Sequence, residues 1–219
     1  MATQTIATRP APEKVRLRLA LAMGLIVVGA IALRFLYRFA IPYFSYNQQY
    51  YDYYWPHRFR LLFHICGGML ALVCGPFQFW TGLRQKAMTF HRWTGRLYLA
   101  GVAIGATGAY LMAVFSNPRS MGVGLMAMAT TWVGSSGAAL LSILRGRIGL
   151  HKEWMARSYI TAFAFVTFRY IDELPVIHRW WGDFQSRAGT VAWVSFVVPL
   201  FIFEMILFVR RLYSPAQSL

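Results

Sequence analysis

Two similar stretches of the sequence, HRWTGRLYLA and HKEWMARSYI, each begin with a histidine followed at once by a basic residue. Each then carries an aromatic residue, an arginine and a tyrosine. Neutral imidazole is a common ligand of haem iron. His91 and His151 could therefore hold one haem b between two helices, with Arg96 and Arg157 close enough to pair with its propionates. The plainer alternative is that both stretches anchor helix ends at lipid headgroups.

A third histidine lies inside an apolar run rather than at its end. Helical spacing puts His64, Gly68, Ala71 and Gly75 on one stripe. A histidine above small residues favours either close helix packing or space for a flat cofactor against the backbone. With His178, which is expected on the same side of the membrane, it could form a second pair of iron ligands.

The apolar run that follows His151 is interrupted by arginines. Eleven uncharged residues separate Arg157 from Arg169, too few to cross the hydrocarbon core of a bilayer. At least one of these arginines must therefore snorkel, pair or bind an anionic group. We expect Arg169 either to contact a haem propionate or to form a salt bridge at the helix end with Asp172 or Glu173.

Composition indicates which elements position these side chains. The 219 residues are 58% hydrophobic and 13% charged, whereas about a quarter of a soluble domain is charged. Several uncharged apolar runs are about 20 residues long, as in a polytopic membrane protein. The sequence therefore predicts an all-α bundle with six transmembrane helices, at residues 19–41, 60–83, 90–115, 121–144, 151–173 and 190–209.

The sequence therefore predicts one transmembrane domain, residues 19–212. It lies between an N-terminal tail, residues 1–18, and a short C-terminal tail, residues 213–219. Basic residues in the tails and in the links after the second and fourth spans would all lie on one side. The positive-inside rule therefore predicts that both termini are cytoplasmic. The expected location is the bacterial inner membrane, with the lipid bilayer as the first partner.

The net charge of +15 arises from basic residues scattered singly between apolar runs. That pattern is typical of membrane orientation, so nucleic-acid binding is not expected. Cys66 and Cys74 lie eight residues apart in one run, and no C-x-x-C-H motif occurs. Because these positions would be roughly 12 Å apart along a helix, both cysteines are expected to be free thiols.

Glycine spacing predicts where the helices meet. We expect spans two to five to form the central bundle, since glycine lets backbones approach where lipid offers no hydrophobic drive. Leucine at Gly68 or Gly105 should then be more harmful than leucine at Gly29. The expected contacts are the stripes Gly68, Ala71, Gly75 and Gly101, Gly105, Gly108.

Three motifs carry a resemblance to a known family. They are H-x2-G-G-x3-L-x2-G-P-x-Q-F at residues 64–79, H-R-x2-G-R-x-Y at 91–98 and H-x2-W-M-x-R-S-Y at 151–159. Together they resemble an uncharacterised bacterial integral-membrane family, over roughly residues 55–210. The resemblance implies a multi-span inner-membrane protein and brings no activity or assigned residues. A looser likeness of arrangement, to transmembrane haem b cytochromes, implies His64, His91 and His151 as iron ligands.

Several functions stay open at this point, including whether the protein is an enzyme. The most specific is a haem-b-binding redox protein that passes electrons between quinol, or a redox partner protein, and an acceptor. Glu204, a carboxylate amid apolar residues, favours instead a cofactor-free small-molecule binder or proton-linked transporter. An accessory subunit of a membrane complex is a third alternative. A zinc hydrolase using His91, His151 and Glu153 would lack the H-E-x-x-H motif.

Overall fold

The computed structural model describes residues 12–213, and this part of the chain contains helices and no strand. Helix α1 continues through a π-helical turn and a 3-10 turn to residue 45, and a 3-10 turn, Asp52–His57, leads into α3. The α-helices are α1 (Pro12–Phe35), α2 (Gln48–Tyr51), α3 (Arg58–Arg84), α4 (Met88–Ala113), α5 (Arg119–Leu144), α6 (Ile148–Ala162), α7 (Ala164–Asp172), α8 (Pro175–Trp181) and α9 (Phe184–Tyr213).

Within residues 12–213, five helical segments are long and apolar enough to cross a membrane. The chain is therefore a multi-pass membrane protein in contact with lipid. These segments match five of the six predicted spans. The predicted fifth span, residues 151–173, is divided at Phe163 into α6 and α7, so it is not one continuous helix. The five segments are Leu19–Ser45, Gln48–Arg84, Met88–Ala113, Arg119–Leu144 and Phe184–Tyr213.

Helix α1 begins at Pro12, inside the predicted N-terminal tail. Residues 1–11 of that tail and residues 214–219 of the C-terminal tail lie outside the described residues. Cys66 and Cys74 are free thiols, as predicted.

Helices α3 and α4 form the tightest contact of the bundle, and glycine makes it possible. A Cβ atom on Gly101 would lie 2.8 Å from the Gly67 carbonyl oxygen, and one on Gly108 would lie 2.6 Å from the His64 Cα. The contact predicted for Gly101, Gly105 and Gly108 is confirmed. On α3, however, Gly67 rather than Gly68 faces α4, and a Cβ on Gly68 would meet no atom within 4 Å.

A proline and a tyrosine join α3 to α6. Pro76 lacks a backbone N–H, so the Leu72 carbonyl, four residues earlier, loses its helical donor. The Tyr159 hydroxyl donates to that carbonyl oxygen at 3.2 Å. Gly75 provides the space, because a Cβ there would coincide with the Tyr159 ring. The G-P pair of the first motif and the final tyrosine of the third motif thus form one packing unit.

Ion pairs fix α6 and α7 along the full length of α9. At one end, Arg211 on α9 contacts Glu153 on α6 at 2.7 Å. At the other, Arg187 on α9 contacts Asp172 on α7 at 2.7 Å. In the second pair Arg187 is buried and Asp172 is only slightly exposed, at 8% and 14%. Together the two short helices therefore cover the same height as the continuous helix α9.

These contacts define two ends of the bundle. The aromatic end comprises residues 38–57, 115–118 and 172–187; there the Tyr53 hydroxyl donates to the Phe115 carbonyl at 2.8 Å, and Arg38 pairs with Glu173 at 2.9 Å. Asp183 caps α9 at this end, and its hydrogen bonds from Ser186 hold the pKa of the Asp183 carboxyl below its usual range. The basic end comprises residues 84–92, 145–152 and 210–213.

Candidate functional site

A cavity of about 520 Å³ lies in the centre of the bundle. Its walls come from α1, α3, α4, α5, α6 and α7 and are mainly apolar. One part of the lining belongs to the aromatic end, where Asp52, Tyr54, Asn117 and Gln185 reach it. Ligand sites in proteins typically have volumes of about 300–1,000 Å³ and few polar groups. The cavity meets both criteria, and two of its polar groups, His64 and Arg169, were singled out from the sequence.

His64 lines the cavity in a fixed orientation. Its Nδ1–H donates to the Gly105 carbonyl oxygen at 2.7 Å, an approach that Gly108 permits by leaving room for the His64 backbone. The imidazole also packs against the Phe165 ring, with centroids 4.8 Å apart. No hydrogen bond within residues 12–213 uses Nε2. A histidine whose Nδ1–H is held by a carbonyl presents an Nε2 lone pair to a ligand, as metal-binding histidines do.

Arg169 lines the same cavity without a carboxylate partner among the described residues. Its predicted partners are taken: Asp172 pairs with Arg187 at 2.7 Å, and Glu173 pairs with Arg38 at 2.9 Å. The predicted salt bridge at the helix end is therefore absent from the described part of the chain. The Arg169 guanidinium lies over the Phe39 ring, 5.9 Å from its centroid. It remains a cation available to an anionic group in the cavity.

Two further lining residues depart from ordinary packing. The buried Trp132 indole N–H makes no hydrogen bond of ordinary geometry within the described residues, and the Tyr98 hydroxyl is close enough to interact with it. Asp52 has a φ of 43°, a left-handed value that non-glycine residues rarely adopt. Such backbone conformations cost about 1–3 kcal/mol and cluster at binding sites. Both residues line the cavity.

His91 and His151 lie together at the basic end. The Thr81 hydroxyl donates to the Phe77 carbonyl at 2.7 Å, so its oxygen accepts from His91 Nδ1 at 2.9 Å. His151 Nδ1–H donates to the Ala139 carbonyl at 2.9 Å. The two imidazoles are close enough for the charge on one to act on the other. Both therefore share the arrangement of His64, with Nδ1 engaged and Nε2 without a hydrogen bond in the described structure.

The arginines expected beside this pair point elsewhere. Arg96 is exposed and lies over the Trp93 ring at 4.8 Å. Arg157 makes two hydrogen bonds to Glu204, from Nε at 2.6 Å and from a terminal nitrogen at 3.0 Å. Neither arginine is oriented toward His91 and His151 by these contacts. Glu204, the carboxylate that favoured proton-linked transport, is the partner of an ion pair.

His178 is exposed on α8 and does not line the central cavity. The structure therefore does not bring it to His64, as the second pair of ligands would require. The alternative of a zinc site at His91, His151 and Glu153 gains no support either, because Glu153 pairs with Arg211 and approaches Arg157. Among the described residues, no three His, Cys, Asp or Glu side chains form a group that could hold a metal ion.

Many remaining motif residues join helices to one another. Gln78 on α3 donates to the His91 carbonyl at 2.7 Å and to the Thr94 hydroxyl. The Tyr98 hydroxyl bonds the Ser158 hydroxyl at 2.7 Å, and Ser158 bonds Ser136 at 2.7 Å. All three members of this hydroxyl chain are buried. The chain links α4, α5 and α6, and its residues were not identified from the sequence as a group.

Methionine and phenylalanine side chains that form the cavity wall were also missed. Met112, Met128 and Phe168 are buried beside the cavity, and Phe165 packs on the His64 ring. Apolar residues carry no individual signal in an apolar sequence. Which apolar side chains face His64 depends on how the helices pack together, and the sequence alone does not show this.

The model of a family described as a predicted membrane protein of unknown function, DUF2306, matches residues 61–207. The matched region contains the three motifs, His64, His91, His151 and His178, and the part of the cavity wall that lies after residue 60. Comparison with curated proteins and with solved structures gave no match, and nothing in it supports the looser likeness to haem b cytochromes. Since the match covers well over half of its length, the chain belongs to the DUF2306 family of predicted membrane proteins.

Proposed function

We propose that this membrane protein binds haem b in the central cavity and transfers electrons through it. In this proposal His64 Nε2 would bind the iron, and Arg169 would pair with a haem carboxylate. One observation carries it: an imidazole nitrogen without a hydrogen bond and a guanidinium without a carboxylate line the same apolar cavity. Ionisable groups inside a membrane protein commonly mark binding sites, and haem would satisfy both of these.

The shape and lining of the cavity support a flat, mainly apolar ligand. Gly68 lines it, and the direction of its missing Cβ is open for 4 Å, so the α3 wall is locally flat. Met112 and Met128 also line the cavity. Thioether sulfur and imidazole together form a known axial pair for haem, so the wall offers a second ligand of the right class.

The protein's own groups would orient and tune such a cofactor. The Gly105 carbonyl fixes the His64 ring and makes Nε2 more basic through the Nδ1–H hydrogen bond. Buried aromatic and methionine side chains exclude water, and the charge of Arg169 stabilises a carboxylate. Bound haem supplies one-electron chemistry. Quinol or a redox partner protein is the proposed electron donor, and the acceptor lies on the opposite side.

His91 and His151 form a proposed second ligand pair at the basic end. Two observations support it: neither Nε2 atom makes a hydrogen bond in the described structure, and the two imidazoles are close enough for the charge on one to act on the other. One site would lie in the central cavity, which reaches the aromatic end, and the other at the basic end, an arrangement suited to electron transfer across the membrane. The engagement of Arg157 by Glu204 leaves this pair with less support than the central cavity.

We also propose that α6 and α7 together form a sixth crossing, which would place both termini on the cytoplasmic side of a bacterial inner membrane. The ion pairs of α9 with Glu153 and with Asp172 support this arrangement, because they lie at opposite ends of α9. The concentration of basic residues at the basic end supports the orientation. Reporter fusions after Leu83 and after Leu144 should both give cytoplasmic signals, and a fusion after Gly182 a periplasmic one. Any other pattern would contradict the topology.

Absorption spectroscopy of the purified protein, expressed with haem supplied, tests the function. The reduced-minus-oxidised spectrum should show b-type bands. His64→Ala should remove at least the bands of the central site, and Arg169→Gln should reduce haem occupancy. His178→Ala is the matched control, because that histidine is exposed and away from the cavity. Absence of bands in the wild type, or unchanged bands in His64→Ala, would overturn the proposal.

A cofactor-free alternative uses the same cavity to hold a lipid-soluble molecule with an anionic group. The availability of Arg169, together with lining residues at the aromatic end, favours it specifically. Mass spectrometry of organic extracts from haem-free protein would identify such a molecule. It should be depleted in Arg169→Gln and retained in Arg179→Gln, an exposed arginine on α8. Equal recovery from both variants would exclude this alternative.

A further inference from the structure

A second concave surface lies far from the central cavity, between α1 and α3 at the basic end. This groove has a volume of about 410 Å³. Its floor is apolar, and two cationic residues stand at its end, where α3 stops. The residues that form it include Leu21, Leu25, Trp80, Leu83, Arg84 and Lys86.

The two cations of the groove are not neutralised by the described part of the protein. The Arg84 guanidinium stacks on the Trp80 ring, 3.6 Å from its centroid, and no ion pair within residues 12–213 involves Arg84 or Lys86. By contrast, Arg157 on α6 and Arg211 on α9 each have a glutamate partner. Arg84 is therefore held in place by an aromatic face while its hydrogen-bond donors stay available.

We propose that this groove binds an anionic phospholipid. The phosphate would contact Arg84 and Lys86, and an acyl chain would lie along the floor formed by α1 and α3. Leu21 and Leu83 are 44% and 51% exposed, so the floor is accessible from the bilayer. Exposed Trp80 lies beside the end of α3, at the level where tryptophan meets headgroups. Basic pockets between transmembrane helices are known to bind such headgroups.

The two cations and the apolar floor of the groove together favour a complete phospholipid over free phosphate. Two cations would attract any phosphate, but the apolar groove contributes only when the phosphate carries an acyl chain. The position of the groove, on the outer surface of the bundle and between two spans, gives it direct access to bilayer lipid. This inference does not depend on haem binding, because the groove shares no lining residue with the central cavity.

Native mass spectrometry in mild detergent tests the proposal with phosphatidylglycerol and phosphatidylcholine of equal chain length. Wild-type protein should retain phosphatidylglycerol preferentially. Arg84→Gln with Lys86→Gln should weaken that binding roughly 30-fold, since each cation near a lipid phosphate contributes about 1 kcal/mol. The matched control is Arg145→Gln with Arg147→Gln, which removes the same charge at the same end from exposed residues outside the groove.

Two further measurements keep the test decisive if the charge variant is unstable. Ala22→Phe fills the floor without changing charge, and it should also weaken phosphatidylglycerol binding. Excess glycerol phosphate, which lacks acyl chains, should not displace the lipid. Equal loss in the groove variant and the control, no preference over phosphatidylcholine, or displacement by glycerol phosphate would each overturn the proposal.

Discussion

Alanine at Gly67 and alanine at Gly68 make a matched pair of perturbations in one turn of α3. Both variants add a single methyl group, and both replace a glycine inside the same helix. At Gly67 the new Cβ would overlap the backbone nitrogen of Gly105 and lie 2.7 Å from the Gly101 carbonyl oxygen. At Gly68 it would meet no atom within 4 Å. The two variants therefore differ only in the space available to the methyl group.

The size of the difference follows from these contacts. Replacing glycine by alanine in a helix gains about 0.4–1 kcal/mol when the space is free. At Gly67 the overlapping atoms belong to a backbone that cannot rotate away, so α3 and α4 must separate by more than about 1 Å to restore contacts of about 3.5–4.0 Å. Overpacking of this kind costs about 1–3 kcal/mol. We therefore expect the unfolding free energies of the two variants to differ by about 2–4 kcal/mol.

Thermal melting in detergent, followed by fluorescence-detected gel filtration, measures this difference. For a domain of this size, 1 kcal/mol corresponds to roughly 2–4 °C in Tm. Gly67→Ala should therefore melt about 5–15 °C below Gly68→Ala, which should melt at or slightly above the wild type. Gly29→Ala, on the open surface of α1, should behave like Gly68→Ala. Equal melting temperatures for the Gly67 and Gly68 variants would refute the close contact of α3 and α4.

The same melting assay tests two other contacts. Tyr159→Phe should lower the free energy of unfolding by about 1–2 kcal/mol, because the Leu72 carbonyl is left without a donor. Adding Pro76→Ala supplies a backbone N–H for that carbonyl, so the double variant should recover most of the loss. No recovery in the double variant would contradict this account. Asp172→Ala should cost about 3–5 kcal/mol, because it leaves a buried arginine without its carboxylate. Glu173→Ala removes the exposed ion pair with Arg38 and should lower the free energy of unfolding by at most about 1 kcal/mol. Similar losses for the Asp172 and Glu173 variants would show that burial does not determine how much each ion pair stabilises the protein.

The spans could be predicted because transfer into lipid depends on local composition. The break between α6 and α7 could not. No glycine or proline stands near Phe163 to mark it, and the short uncharged stretch between Arg157 and Arg169 showed only that the run was unusual. The helix ends where its neighbours pack, with Phe165 against His64 and Tyr159 against Leu72. Such contacts come from distant parts of the chain.

The candidate site was predictable to the extent that ionisable residues inside apolar runs are conspicuous. His64 and Arg169 were both identified in this way, and they line one cavity. The interaction partners of these two residues could not be predicted in the same way. His64 uses a backbone carbonyl of α4, which has no sequence signature. Arg169 lost Asp172 to Arg187, 15 residues further along the chain, where only the fold decides between two arginines.

The short link between α3 and α4, residues 85–87, has a consequence for the order of assembly in the membrane. Their glycine contact needs no other helix, so this hairpin can pair as soon as residue 113 has been inserted. Its hydrogen bond from His64 to Gly105 then forms before Arg169 has been synthesised. Helix α7 arrives later and supplies Phe165, Phe168 and Arg169, which complete one side of the cavity wall. The imidazole of His64 is thus held by α4 before this wall of its cavity exists.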